Sequence, residues 1–222
     1  MYIKITLLSA AVSLFSLTPI ESVPQISRES EALLQRIRTE SNHTLTVQWN
    51  SSAQSPSLLY GVLTSPSNHS PGWIAYEYLN RIKSLYGLKR VREDLIIQRI
   101  DQNESGYTVW LQREFFKKPV CGDRIAVEMD QSGRIHRVEG TLHALLEKKR
   151  LGRPMYPAVT VDGAKRIAAA FAPDLRNAGS LHVGACYLPE RAGVPLVYVV
   201  HYEKEGRPAV LRIHSITGKV ID

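Results

Sequence analysis

Two cysteines, Cys121 and Cys186, are the residues of this chain with the widest chemical reach. Cys121 lies in the stretch Arg113–Asp130, REFFKKPVCGDRIAVEMD, between Val120 and Gly122 with Asp123 next. A cysteine nucleophile needs a base, usually histidine, and an electropositive setting that holds the thiolate. Lys117, Lys118 and Arg124 supply positive charge, and His136 lies on the strand expected to fold back toward Cys121. Val120 and Gly122 instead place Cys121 in a strand, where a small hydrophobe fits. Three readings stand: a nucleophile, half of a disulfide with Cys186, or a packed thiol.

Other chemistries are harder to find. There is no H-E-x-x-H and no histidine pair at helical spacing for zinc. G-x-S-x-G, a phosphate loop and a Gly-rich dinucleotide turn are also missing. Asp101-Gln102-Asn103-Glu104 lacks the alternating ligands and closing glutamate of a calcium loop, and reads as a hairpin turn. His201 follows Val199 and Val200 in a strand pattern, and the acidic residues are dispersed. We therefore expect no catalytic residue, no metal and no cofactor. The net charge is +7, but the basic residues are scattered. The densest group, Lys148-Lys149-Arg150 with Arg153, sits beside Gly152 and Pro154 and reads as a solvated linker, with no nucleic-acid partner.

These residues must be positioned by a chain of 222 residues, 44% of them hydrophobic, which suffices for one large domain or two small ones. Residues 1–22 combine Lys4, an apolar run ITLLSAAVSLFSL and Pro19 before Ser22, the pattern of a secretory signal peptide. The run is short for a bilayer span and carries no cysteine for lipidation. A secreted protein without a stable membrane anchor is expected. Sequons at Asn42, Asn50, Asn68 and Asn103 would matter only in a host that glycosylates exports.

Leu33, Leu34 and Ile37 share one face of a helix over Glu29–Glu40, and strand candidates follow at Thr44–Trp49 and Leu58–Thr64. Ser70 and Pro71 open a helix running to Tyr86, with Ala75, Tyr78, Leu79, Ile82 and Leu85 inward and Gly87 as its stop. From Leu95 the period becomes two: strands over Leu95–Ile100 and Tyr107–Phe116, an interruption at Lys117-Lys118-Pro119, then Ile125, Val127 and Met129 on one face. Gln131-Ser132-Gly133 turns into Arg134–Val138. The charged, Gly- and Pro-containing stretch 147–157 reads as a linker. Beyond it Thr160 caps a helix with Ala164, Ile167, Ala168 and Phe171 inward, and strands follow at Leu181–Tyr187, Leu196–Glu203, Ala209–His214 and Lys219–Ile221. The expected class is α+β: two consecutive units, each a helix packed on an antiparallel sheet.

The order of these motifs resembles a known family. Ala75–Leu88, AYEYLNRIKSLYGL, is similar to the helix of the fungalysin/thermolysin propeptide (FTP) domain. That family's Q-Q-x-Y-x-G-x-P-V-x-G pattern falls on the opening stretch: Gln112, Pro119, Val120 and Gly122 match, while Phe115 and Lys117 replace the tyrosine and glycine. Asp130, Gly133, Val138 and Gly140 continue it, and LLQRIRTE…VQWN…SPSLLYG resembles the N-terminal part of such precursors. Pro195–Val200 and Thr217-Gly218-Lys219-Val220 resemble two strands of a PepSY domain, although His214-Ser215 replaces the usual aspartate and alanine. The resemblance implies an FTP-like, cystatin-like unit over 28–146 and a PepSY-like unit over 158–222. It also implies a thermolysin-like metalloprotease as partner, which such domains inhibit or help to fold. The sequence ends at Asp222, directly after the PepSY-like strand. A non-catalytic protein acting in trans is therefore expected. The alternatives are the propeptide part of a truncated or split precursor, and an extracellular interaction module unrelated to proteolysis. Phe115, Pro119, Val120 and Gly122 are the candidate protease interface: Pro119 lacks an N–H and Gly122 permits unusual dihedrals, which suits a sheet edge or bulge. The same residues would equally serve only to shape the hairpin.

Overall fold

The computed structural model describes residues 27–172, 182–204 and 207–221; the expected signal peptide, residues 1–22, lies outside them. Helix α1 (Arg28–Glu40) starts where the Ser27 hydroxyl accepts from the Ser30 N–H, and it buries Leu33, Leu34 and Ile37. Strands β1 (Thr46–Asn50) and β2 (Ser55–Tyr60) form a hairpin. Helix α2 (Pro71–Arg81) has Pro71 in its first turn and buries Ile74, Ala75, Tyr78 and Leu79. The helix expected to continue to Tyr86 tightens at Ile82 into a 3-10 turn over Lys83–Tyr86. Such tightening satisfies carbonyls that an α-helix end leaves without partners. Gly87 closes it at φ 59°, and a Cβ there would lie 1.9 Å from the Ala144 carbonyl oxygen. Only glycine fits that contact.

A single turn, α3 (Val91–Asp94), leads into β3 (Leu95–Asn103), β4 (Gly106–Phe115), β5 (Lys118–Asp130) and β6 (Ile135–Thr141). The first sheet is fully antiparallel in the order β1-β2-β6-β5-β4-β3. Its buried face carries Val109, Leu111, Ile125, Val127, Met129 and Val138 against the helices. The β3–β4 turn is tighter than the sequence indicated. It comprises Glu104 and Ser105, because the Asn103 side chain accepts from the Ser105 and Gly106 N–H groups. The Lys117-Lys118-Pro119 stretch does not interrupt pairing either. Phe116 and Lys117 form the β4–β5 turn, and Lys118 and Pro119 pair with Phe115 and Glu114.

A short turn of helix, α4 (Leu146–Lys149), precedes the second unit. There α5 (Val161–Phe171) is capped by the Thr160 hydroxyl, which accepts from the Gly163 N–H at 3.0 Å. Ala164 and Ala168 pack on Tyr198, Val200, Leu211 and Ile213. Phe171 was expected inward but is 59% exposed, because the chain leaves the helix there and Ala172 takes the place on the cluster. Strands β7 (His182–Tyr187), β8 (Leu196–Lys204), β9 (Arg207–His214) and β10 (Val220–Ile221) form a second antiparallel sheet in sequential order. The protein is α+β, with helices on one face of each sheet.

Strand β5 belongs to both sheets. After its antiparallel partners in the first, Val120 pairs in parallel with Tyr187 of β7. A third cluster fills that junction: Phe115, Val120, Leu146, Tyr187, Val194 and Leu196.

Candidate functional site

The junction between the sheets is where most of the residues singled out from the sequence meet. Between the pairs Gln112↔Arg124 and Glu114↔Pro119, four residues of β5, Val120 to Asp123, face the single residue Arg113 of β4. A bulge of this size leaves ladder carbonyls without partners. The Gln112 side chain supplies them: its Nε2 donates to the carbonyl oxygens of Val120 and Asp123, each at 2.8 Å. Gly122 takes the left-handed backbone the bulge needs, φ 74°, in open space. Its identity therefore answers to conformation and not to crowding.

The bulge turns Cys121 toward β7, where it forms a disulfide with Cys186 across 65 residues of sequence, Cα to Cα 5.2 Å. A nucleophile is thereby ruled out in this state. His136 lies elsewhere, its Nε2 3.6 Å from Glu128. Of the four candidate interface residues, Phe115 and Val120 are buried in the inter-unit cluster, Pro119 is half-buried and Gly122 is exposed. Burial removes Phe115 and Val120 from any surface a partner could touch. The reason is that β7 occupies the edge that the Pro119–Gly122 segment would otherwise leave open.

A charged group that the sequence reading missed lies behind the bulge. Arg113 is fully buried, and its Nη1 donates to the His143 carbonyl at 3.0 Å and lies 3.7 Å from Asp123. Asp123, also fully buried, accepts from the His143 N–H at 3.1 Å and meets the His143 Nδ1 at 2.5 Å. Glu147 approaches Arg113, Arg150 and Lys89 at 3.8, 3.0 and 3.5 Å. Burial pushes the Arg113 guanidinium below its ordinary value, against the opposing charges of Asp123, Asp94 and Glu147. Burial raises the Glu147 carboxyl, but the Arg150 hydrogen bond and the charges of Arg150, Arg113 and Lys89 outweigh it and hold the group below the usual range. The signal in the sequence was register. Val109, Leu111, Arg113 and Phe115 alternate, so Arg113 had to point into the core.

The stretch 147–157 is likewise more than a solvated linker. The Arg150 guanidinium lies 4.5 Å from the Phe115 ring centre, and Arg150 pairs with Gly193. The Met155 N–H donates to the Tyr187 hydroxyl at 3.2 Å. On the opposite, helix-free face of the first sheet, a trough of about 770 Å³ runs past Arg99, Trp110, Gln112, Gly122, Arg124 and Glu139. The Trp110 Nε1 donates to Asp101 at 2.7 Å and Arg99 lies over the indole at 4.7 Å, which fixes one wall. Among the described residues no group of three His, Cys, Asp or Glu side chains is placed to hold a metal ion, and no helix is long and apolar enough to cross a membrane.

The fold and junction define a two-unit α+β protein stapled across its sheets. No family model matches the chain, and no curated protein matches it. Among solved structures it is similar to the C-terminal domain of Bacillus megaterium YpeB, with a TM-score of 0.36 and 12% identity, over 88% of this chain and 97% of that one.

Proposed function

We propose that this chain is a secreted, propeptide-like protein without catalytic activity of its own, which binds a thermolysin-type metalloprotease and inhibits it or assists its folding. The observation that carries the reading is the Gln112 bulge. Gln112, Val120 and Gly122, which resemble the propeptide pattern, work as one device: a side-chain amide bridging two carbonyls across a glycine-bent strand. Pro119 of the same pattern sits in the ladder just ahead of it. Asp130 and Gly133, the next residues of the resemblance, share the following turn, where the Asp130 carboxylate accepts from the Ser132 and Arg134 N–H groups. Because Phe115 and Val120 are buried, the contact surface assigned to the protease passes to the exposed Gly122 side of the bulge and the trough beside it. The test adds purified chain to a thermolysin-like enzyme, measuring peptide hydrolysis and the yield on refolding from urea. Inhibition or a raised yield supports the reading; undiminished hydrolysis with an unchanged yield sinks it.

A further inference from the structure

The β4–β5 turn is built from the wrong residues for its geometry. Phe116 and Lys117 both adopt left-handed backbone, φ 47° and 62°. Two-residue turns of this kind favour Asn-Gly, because a bulky side chain is strained there. A strained tip that keeps phenylalanine and lysine invites a functional reason for their side chains. Phe116 is 40% exposed, its ring braced 6.2 Å from that of Tyr187 and 5.6 Å from the Arg150 guanidinium. Leu151, 49% exposed, lines the same shallow depression with Phe116, Arg150 and Arg153. Exposed lysines flank both apolar tips: Lys117 and Lys118 beside Phe116, Lys148 and Lys149 just before Leu151. Glu147 does not neutralise them, since its carboxylate is engaged by Arg150 and Lys89. One exposed carboxylate, Glu190, sits on the loop that carries Gly193 at the edge of the depression.

We propose that the Phe116 turn and the Leu151 loop form a docking surface for an anionic lipid bilayer, the two apolar side chains entering the interface while the lysines around them meet the headgroups. Charge complementarity selects an anionic partner. The choice of lipid over protein follows from composition: lysine is depleted in protein–protein interfaces, whereas clustered lysines beside inserted apolar side chains suit an anionic membrane surface. Binding would be peripheral and reversible, and it is independent of the protease reading.

Sedimentation of the purified chain with vesicles provides the test. Vesicles of phosphatidylcholine mixed with phosphatidylglycerol should carry the chain down at low salt, and phosphatidylcholine alone should not. Binding should fall sharply at about 0.5 M salt, where charges are screened within a few ångströms. Phe116→Asn puts a residue suited to the turn at its tip. It should leave the melting temperature unchanged or higher while weakening vesicle binding about tenfold or more. Lys117→Glu should weaken binding by at least about fivefold. No sedimentation with anionic vesicles, equal binding to neutral ones, or wild-type binding by Phe116→Asn would each overturn the proposal. If these variants instead lose inhibition of a thermolysin-like enzyme without any vesicle binding by the wild type, the patch belongs to a protein partner and the lipid assignment is wrong.

Discussion

Gln112 and Arg113 are neighbours on one strand and meet opposite demands. Gln112 brings donors to carbonyls that the bulge has stranded, and Arg113 brings a buried cation that other groups must satisfy. Replacing Gln112 with alanine should destabilise the protein by about 1–3 kcal/mol, the cost of unpaired buried acceptors. Gln112→Glu should do no better, since a carboxylate cannot donate to a carbonyl. Urea unfolding measures both, and wild-type stability in the glutamate variant would disprove the bridging role. Glu147 makes the charged group sensitive to acid. Its folded pKa is depressed, so its contribution is complete above the unfolded value of about 4.3 and is lost as pH falls through the lower folded value. Melting temperatures recorded from neutral pH downward should therefore fall less steeply below about pH 4 in Glu147→Gln than in the wild type. Identical acid limbs would place the acid sensitivity elsewhere. At this scale the sequence held a signal that the expectations did not include, the charged Arg113 standing in the inward row of Val109, Leu111 and Phe115. It was silent on Asp123 and His143, because a buried carboxylate and its histidine are joined only by folding, across 20 positions.

Elements were easier to read than contacts, because the apolar period changes cleanly from helical to alternating near Leu95. Helix α5 and strands β7 to β10 fall within a few residues of their expected places, each bounded by a cap, a proline or a glycine. The β4–β5 connection was misread for a physical reason. Phe116-Lys117 carries no turn residue, and Pro119 looks like a break although it lies in the ladder. Pro119 and Gly122 pointed to a sheet edge or bulge, but alternation does not show how many residues a strand absorbs, so the size of the β5 bulge and the burial of Val120 stayed hidden. Two glycines separate local conformation from space. Gly87→Ala meets both a left-handed φ and the Ala144 carbonyl, and should cost more than about 2 kcal/mol. Gly184 lies in β7 with ordinary backbone, and no atom stands within 4 Å of where an alanine methyl would go. Gly184→Ala should therefore add about 0.5–1 kcal/mol of stability. Chemical denaturation of the two variants side by side checks the pair, and equal effects would mean that the close approach at Gly87 relaxes freely.

At the scale of the molecule the question is what makes two units behave as one. The first has an extensive core of helices on six strands, whereas the cluster under the helix of the second comprises only Ala164, Ala168, Tyr198, Val200, Leu211 and Ile213 among its described residues, and its Tyr187, Val194 and Leu196 are buried at the junction instead. A core that small is marginal by itself. Its stability must come in part from the junction, where one parallel pair, the Arg150↔Gly193 pair, the Phe115 cluster and the disulfide join it to the larger unit. Closing a 65-residue loop restricts the unfolded chain by about 4 kcal/mol in the chain-entropy treatment. Denatured but unreduced protein should therefore show no reactive thiol, and reduction should loosen the second unit selectively. Amide exchange followed with and without reductant should show β7 to β9 losing protection first, while β4 to β6 keep theirs. Equal protection in both states would mean that the Phe115 cluster alone holds the units together. A single loss of protection across both sheets would mean instead that the shared strand β5 makes them one cooperative unit, with the disulfide bracing the whole.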